Sequence, residues 1–219
     1  GTNLGSAVGA GNASIAWNVG FAFTGQTGTA GQATKGIYPW AIVDTTTSGL
    51  GTSFATADTT TGILRPLNQS TEMTATLLLN ANINASGTLL SPGAFTVNSL
   101  TLNNSGGVAT LAATALTLSS GGVLAFTGNA GISGPGYLSA LGNALVFHTL
   151  GDLTVDSMIL GTGFITKGGA GTLTLNAKAF NNNQLSVNQG TLAMGGDFIL
   201  TPNNHLNINT GATLDLNGT

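Results

Sequence analysis

Apolar residues recur at every second position in short runs along this chain, and glycine stands between the runs. Leu153/Val155, Leu173/Leu175, Leu185/Val187, Leu206/Ile208 and Leu214/Leu216 each enclose one polar residue. Period two is the repeat of a strand with one buried and one wet face. Runs this short bury little by themselves, so a chain that repeats them must stack them. The pattern predicts an all-β chain folded as a parallel β-helix, or β-solenoid, in which each coil lays its apolar face on the next. No helix is expected anywhere.

Composition bears on what such a coil shows to solvent. The 219 residues are 42% hydrophobic but only 5% charged, against about 25% in an average soluble domain. The wet surface is therefore built from Thr, Asn, Ser, Gln and Gly, which repels a like molecule weakly at long range. That surface tolerates close packing between copies, or reflects a habit of neutral extracellular proteins. Lys35, Arg65, Lys167 and Lys178 are scattered among seven acidic residues for a net charge of −3. No basic stripe exists to neutralise phosphates, so nucleic acid is not an expected partner. Cysteine is absent, which excludes disulfides and thiolate chemistry. No apolar run approaches the roughly 20 residues that span a bilayer, so membrane insertion is not expected. Gly1–Thr2–Asn3 opens in mid-pattern with no basic start or apolar h-region, as in a mature product or a piece of a longer chain.

From Phe95 onwards the rungs are readable. Leu100 and Leu102 precede a Ser105–Gly106–Gly107 turn, and Leu116 and Leu118 precede a Gly121–Gly122 turn, an offset of 16 residues. Val187 and Ile208 lie 21 apart, each followed three residues later by a glycine, Gly190 and Gly211. Steps of 16–21 residues suit a solenoid with variable corners, where glycine supplies positive φ. At about 20 residues per coil and about 4.8 Å between strands, 95–219 makes about six coils and about 30 Å of rod. Asparagines at corners (Asn103–Asn104, Asn181–Asn183, Asn203–Asn204) stack as amide ladders or serve simply as turn residues. Residues 1–94 read as an irregular or decorated β region, suited to capping or assembly. Strands are expected there at Ile15/Trp17/Val19/Phe21/Phe23 and Met73/Ala75/Leu77/Leu79, with polar loops at Thr45–Gly49 and Thr59–Gly62.

One stretch carries more than periodicity. Thr166–Lys167, then Gly169–Ala170–Gly171–Thr172–Leu173–Thr174–Leu175, then Val187–Asn188, Gly190–Thr191–Leu192 follow in order over about 30 residues. This stretch resembles the autotransporter-associated (passenger-associated) β-strand repeat of exported bacterial β-helix proteins. The front is similar to a block of long, repetitive exported proteins that carry the same repeat: Gly36–Ile37–Tyr38–Pro39–Trp40–Ala41, Ser53–Phe54–Ala55–Thr56 and Gly62–Ile63–Leu64–Arg65–Pro66–Leu67. Tyr38 stands where that block has a smaller aliphatic residue, and Leu64 is additional. The resemblance implies a right-handed coil on the outside of a Gram-negative-type bacterium, extracellular or at the cell surface. The repeat has no catalytic residues of its own to carry over.

Parallel β-helices also host polysaccharide lyases and hydrolases, so acidic pairs matter. Asp152 and Asp156 flank inward Leu153 and Val155, so both point out and lie about 13 Å apart. Paired glycosidase carboxylates sit at about 5–9.5 Å. Asp197 and Asp215 are the remaining partners if their strands stack in register. His148 is expected on an outward face and His205 in an Asn-rich corner, two histidines with no third ligand for a metal. Tyr38 and Trp40 beside Pro39 offer a stacking platform for a sugar, or else anchor the front block or plug the core.

The sequence therefore points to a structural, extracellular module of a fibre, filament or stalk, with no catalytic, metal or cofactor residues and with copies of itself as the partner. The alternative is an adhesin that binds glycans or a cell surface through side loops, chiefly 45–62.

Overall fold

The computed structural model describes residues 22–44, 53–90, 93–103, 108–110, 115–127, 129–160, 163–176, 184–195 and 205–216. Three strands open the chain: β1 (Tyr38–Val43), β2 (Ser53–Ala57) and β3 (Leu64–Pro66). The rest form the coil: β4 (Asn82–Ala85), β5 (Phe95–Asn103), β6 (Val108–Thr110), β7 (Leu116–Thr127), β8 (Asn129–Ser133), β9 (Tyr137–Ser139), β10 (Leu145–Thr149), β11 (Asp152–Val155), β12 (Met158–Ile159), β13 (Phe164–Gly168), β14 (Thr172–Leu175), β15 (Gln184–Val187), β16 (Thr191–Met194), β17 (His205–Ile208) and β18 (Thr213–Asp215). There is no helix among the described residues.

The coil is a β-solenoid. One parallel sheet runs β6-β8-β11-β14-β16-β18, and a second carries β4, β5, β7, β10, β13, β15 and β17. β5 and β7 turn a corner, so their first halves build a further face with β9 and β12. Alternation does what the sequence requires: in β14 and β15 every second residue is buried. Matched register then piles like on like. Leu153, Leu173, Leu192 and Leu214 form one column, and Leu145, Ile165, Leu185 and Leu206 another. Burying one such leucine contributes about 2 kcal/mol.

Two sequence readings change at this level. The offset of 21 between Val187 and Ile208 is a true coil step, but the offset of 16 is not. Leu116 pairs with Phe95, and Leu100 with Val123, so Leu100 and Leu116 belong to different faces of the coil. Gly121–Gly122 lies inside β7 and bends it without reversing it, with Gly121 at φ +77° and the ladder to β5 shifted there. Met73–Leu79 is not a strand. Only Thr74 bridges to the coil, at Ile83, and Asn80 at φ +62° turns the chain back into β4. Its leucines split accordingly, with Leu78 and Leu79 exposed and Leu77 against the core.

β1, β2 and β3 form an antiparallel sheet laid on the outside of the coil. The approach is close at Gly122, where a Cβ would stand 3.0 Å from Phe54 and 3.3 Å from Pro39. Ile37, Phe54, Leu67, Met73 and the outward Leu124 make a second small core between the outer sheet and the coil. At the other edge, β4 is already bonded: Asn82 N donates to Ala33 O at 2.7 Å, Thr74 N to Asn82 O at 3.0 Å and Asn84 N to Thr74 O at 2.8 Å.

Candidate functional site

The repeat-like stretch folds into one corner with the chain directly above it. Thr166, partly exposed, faces outward between Ile165 and Lys167, and Leu173 and Leu175 point into the core with Val187 and Leu192, all at zero exposure. Lys167 also points inward, in the column Phe147, Lys167, Val187, Ile208. An ammonium has three N–H groups and no acceptor. Those of Lys167 meet Gly169 O at 2.7 Å, Gln189 O at 2.8 Å and Gly168 O at 3.2 Å, tying one corner to the next. Burial lowers its pKa to about 8, partly opposed by Asp152. Gly169 and Gly190 hold φ of +83° and +70°. A Cβ on Gly190 would meet Gly169 O at 2.5 Å and Lys167 Nζ at 2.8 Å. Ala170 and Gly171 lie in the turn, Thr172 and Thr174 alternate with the inward leucines of β14, and Thr191 pairs with Thr172. Asn188 accepts from Asn209 Nδ2 at 3.0 Å, an amide ladder beside the glycine corner. Of the asparagines expected to form ladders, Asn104, Asn181–Asn183 and Asn203–Asn204 lie outside the described residues.

Asp152 and Asp156 point outward as read from sequence, and each is bonded to the next coil. Asp152 Oδ1 accepts from Thr172 N and Asp156 Oδ1 from Asn176 Nδ2, both at 2.7 Å. These carboxylates join coils. Asp197 lies outside the described residues, and Asp215 is on the last strand, β18. No group of three or more His, Asp or Glu that could hold a metal converges among the described residues.

His148 departs from its expectation. It leaves the coil outward, as alternation requires, but the outer sheet covers it to 9% exposure. Pro39 O, 2.8 Å from Nε2, can only accept, so Nε2 carries the proton, and Phe54 stands edge-on at 6.0 Å. Burial lowers its pKa. His205, by contrast, is exposed at the start of β17.

Tyr38 and Trp40 are neighbours, with ring centroids 5.5 Å apart, but their surroundings differ. Tyr38 is buried against Phe23, Ala55 and Ala57, whereas Trp40 is 49% exposed. Between 45 and 62, where a binding loop was expected, residues 45–52 lie outside the described residues. Ser53–Ala57 is the buried central strand of the outer sheet. Thr60 and Thr61 donate their amides to Asp58 Oδ1 in a tight turn.

Sequence reasoning missed a buried polar network beside this sheet. Arg65 clasps Glu72 through both guanidinium nitrogens at 2.6 and 2.7 Å. Glu72 also accepts from Gly31 N at 3.0 Å and Asn68 N at 2.8 Å. Burial would raise this carboxyl, but those bonds outweigh it and bring its pKa down to about 2. Asn82 and Asn98 are wholly buried, bonded to each other at 2.8 Å and both to Lys35 O. The Lys35 ammonium lies 4.4 Å from the centre of the Phe23 ring, and burial, then Arg65, lowers its pKa. Asn-Ile-Asn and Val-Asn-Ser read only as alternation, so nothing marked these amides as buried.

One further surface stands out. Leu206 and Ile208 end two columns whose other members are fully buried, yet they are 41% and 40% exposed. β17 and β18 are the outermost strands of their sheets.

Comparison with family models, curated proteins and solved structures finds no match to this chain. The class therefore rests on the fold: a β-solenoid repeat protein with an antiparallel sheet on its flank, which fits a structural or adhesin-like module.

Proposed function

We propose that the protein is a structural module of an extracellular fibre, filament or stalk, built by head-to-tail association of its own copies. The observation that carries this reading is the stack of parallel strands in matched register, in which Leu153, Leu173, Leu192 and Leu214 continue one column from coil to coil. An edge strand offers unpaired backbone groups to another chain, and a surface with 5% charged residues opposes the approach of a like molecule only weakly. The resemblance to exported repeats supports a place outside a Gram-negative-type cell. In this reading the chain takes no cofactor and performs no reaction.

Electron microscopy of the purified chain at micromolar concentration, with no ligand or metal added, tests it. Regular filaments support the reading. Isolated short rods at every concentration overturn it and bring the adhesin forward. For that second reading the favouring observation is Trp40, half exposed on β1 beside Pro39. Glycan binding that Trp40→Ala abolishes would establish it.

A further inference from the structure

We propose that the cleft beside His148, between the end of β1 and the coil, binds an uncharged sugar residue. The outward column in which His148 stands runs Leu124, His148, Gly168. The outer sheet covers its first two members, and at Gly168 the column has no side chain. A cavity of about 490 Å³ lies there, between Ile42, Leu150, His148, the Gly168–Ala170 corner and Asn188. That volume is in the range of small-ligand sites. The inference is independent of the fibre reading, and of Trp40, which does not line this cleft.

His148 is nine-tenths buried, and one edge of its ring faces this space. Nε2 donates to Pro39 O at 2.8 Å, so Nδ1 keeps its lone pair and is an acceptor. No group among the described residues bonds Nδ1, and a Cβ on Gly168 would stand 3.5 Å from it. Burial, then the Lys167 charge, lowers the pKa of the ring, which keeps it neutral at pH 7. A buried acceptor without a partner calls for a donor. An ionised carboxylate brings no proton and does not satisfy it. An ammonium would donate, but no carboxylate lines the cleft, and Lys167 already places a cation beside it. Lys167 has no N–H left to offer, since all three meet carbonyls. The ligand is therefore neutral and carries an O–H or N–H. The other walls narrow the choice. Asn188 Oδ1 accepts from Asn209, which leaves Asn188 Nδ2 to donate, while Ile42 and Leu150 are half-buried and apolar. A sugar hydroxyl both donates and accepts, so hydroxyls of one ring can meet Nδ1 and the Asn188 amide while a C–H face rests on Ile42 and Leu150. A backbone N–H would serve Nδ1 alone.

The test titrates the full chain with a panel of neutral mono- and disaccharides (glucose, galactose, N-acetylglucosamine, cellobiose and maltose), with galacturonate as the charged control. Calorimetry reads affinity, and the nitrogen-15 resonances of the two imidazoles read place. At least one neutral sugar is expected to bind and to shift Nδ1 of His148 but not the ring of His205, while galacturonate does neither. Gly168 is not among the glycines at positive φ, so Gly168→Val fills the cleft without backbone strain. That variant should weaken binding by about tenfold or more, with its thermal melt and any filaments as in wild type. Should it misfold, Asn188→Ala, at an exposed position, replaces it with the same direction expected. Failure of the whole panel at millimolar concentration overturns the inference, as does binding that Gly168→Val leaves intact or galacturonate bound as tightly as the neutral sugars. Binding lost in Trp40→Ala but kept in Gly168→Val also overturns it, and leaves the adhesin reading standing at Trp40.

Discussion

Lys167 stands in an apolar column and gives all three of its N–H groups to carbonyls of two successive corners. Methionine would fill the same column but leave those carbonyls without the ammonium, at a cost of about 1–3 kcal/mol. The pH dependence carries a definite sign. The folded chain releases this proton near pH 8, whereas the unfolded chain keeps it until about 10.5. Between those values the unfolded state binds more protons, so this group makes stability rise with pH over that window. Urea melts of wild type and Lys167→Met at pH 7, 9 and 10.5 should show the gap between them widening in favour of wild type. A gap that stays constant would mean that the ammonium is not desolvated. Gly190 is the second residue on which the corner depends. Gly190→Ala combines a φ of +70° with a Cβ 2.5 Å from Gly169 O and should cost about 2–4 kcal/mol. Gly211 has φ +82° but open space around it, so Gly211→Ala should cost only about 1–2 kcal/mol. Equal losses in thermal melts would show that contact plays no part.

Among the elements, the outer sheet depends on groups contributed from elsewhere in the chain. Arg65 on β3 clasps Glu72, and Glu72 in turn holds the amides of Gly31 and Asn68. A carboxyl depressed from 4.5 to about 2 stabilises the fold above pH 4.5 and loses that contribution as pH falls toward 2. Removing one partner of a buried pair costs about 3–5 kcal/mol, less where solvent screens it. Glu72→Gln should therefore cost about 2–4 kcal/mol at neutral pH, and its acid sensitivity over this window should vanish. Hydrogen exchange at Gly31 and Asn68 reports the event directly. Unchanged protection of both amides in the variant would show that other bonds hold the loop. His148 adds to the same dependence: its pKa is lowered by burial, so docking of the outer sheet weakens as pH falls through the ordinary histidine range.

Across the whole molecule, each coil touches chiefly the coils before and after it, so stability is a sum of neighbour terms along the rod. Leu173 sits between Leu153 and Leu192 in its column. Leu173→Ala should cost about 2–5 kcal/mol, and the loss of exchange protection should fall on β11, β14 and β16 and spare β4 and β5. A uniform loss over all coils would show that the rod unfolds as one cooperative unit. The two ends of the rod differ in the same terms. The edge of β4 is satisfied by Ala33 and Thr74, while Leu206 and Ile208 on β17 are exposed.

Alternation alone determined that Leu153, Leu173, Leu185 and Leu214 face a core and that the chain is a stack of short strands, because burial of one strand face leaves a period of two in the sequence. The outward aspect of Asp152 and Asp156 was legible for the same reason. Alternation reports only which side of its own strand a residue occupies, and only the tertiary structure decided what lies on that side. His148 faces outward and is buried because Pro39 and Phe54 of the outer sheet cover it. Lys167 faces inward and is satisfied because the next corner brings Gln189 O within 2.8 Å. Coil length was misread at Leu116 because one strand rounds a corner, and pairing partners are chosen across the sheet and not along the chain. The exposure of Leu206 and Ile208 could not be read from their pattern either, since it is the same as that of buried Leu185 and Val187. What separates the two pairs is whether another strand lies above them.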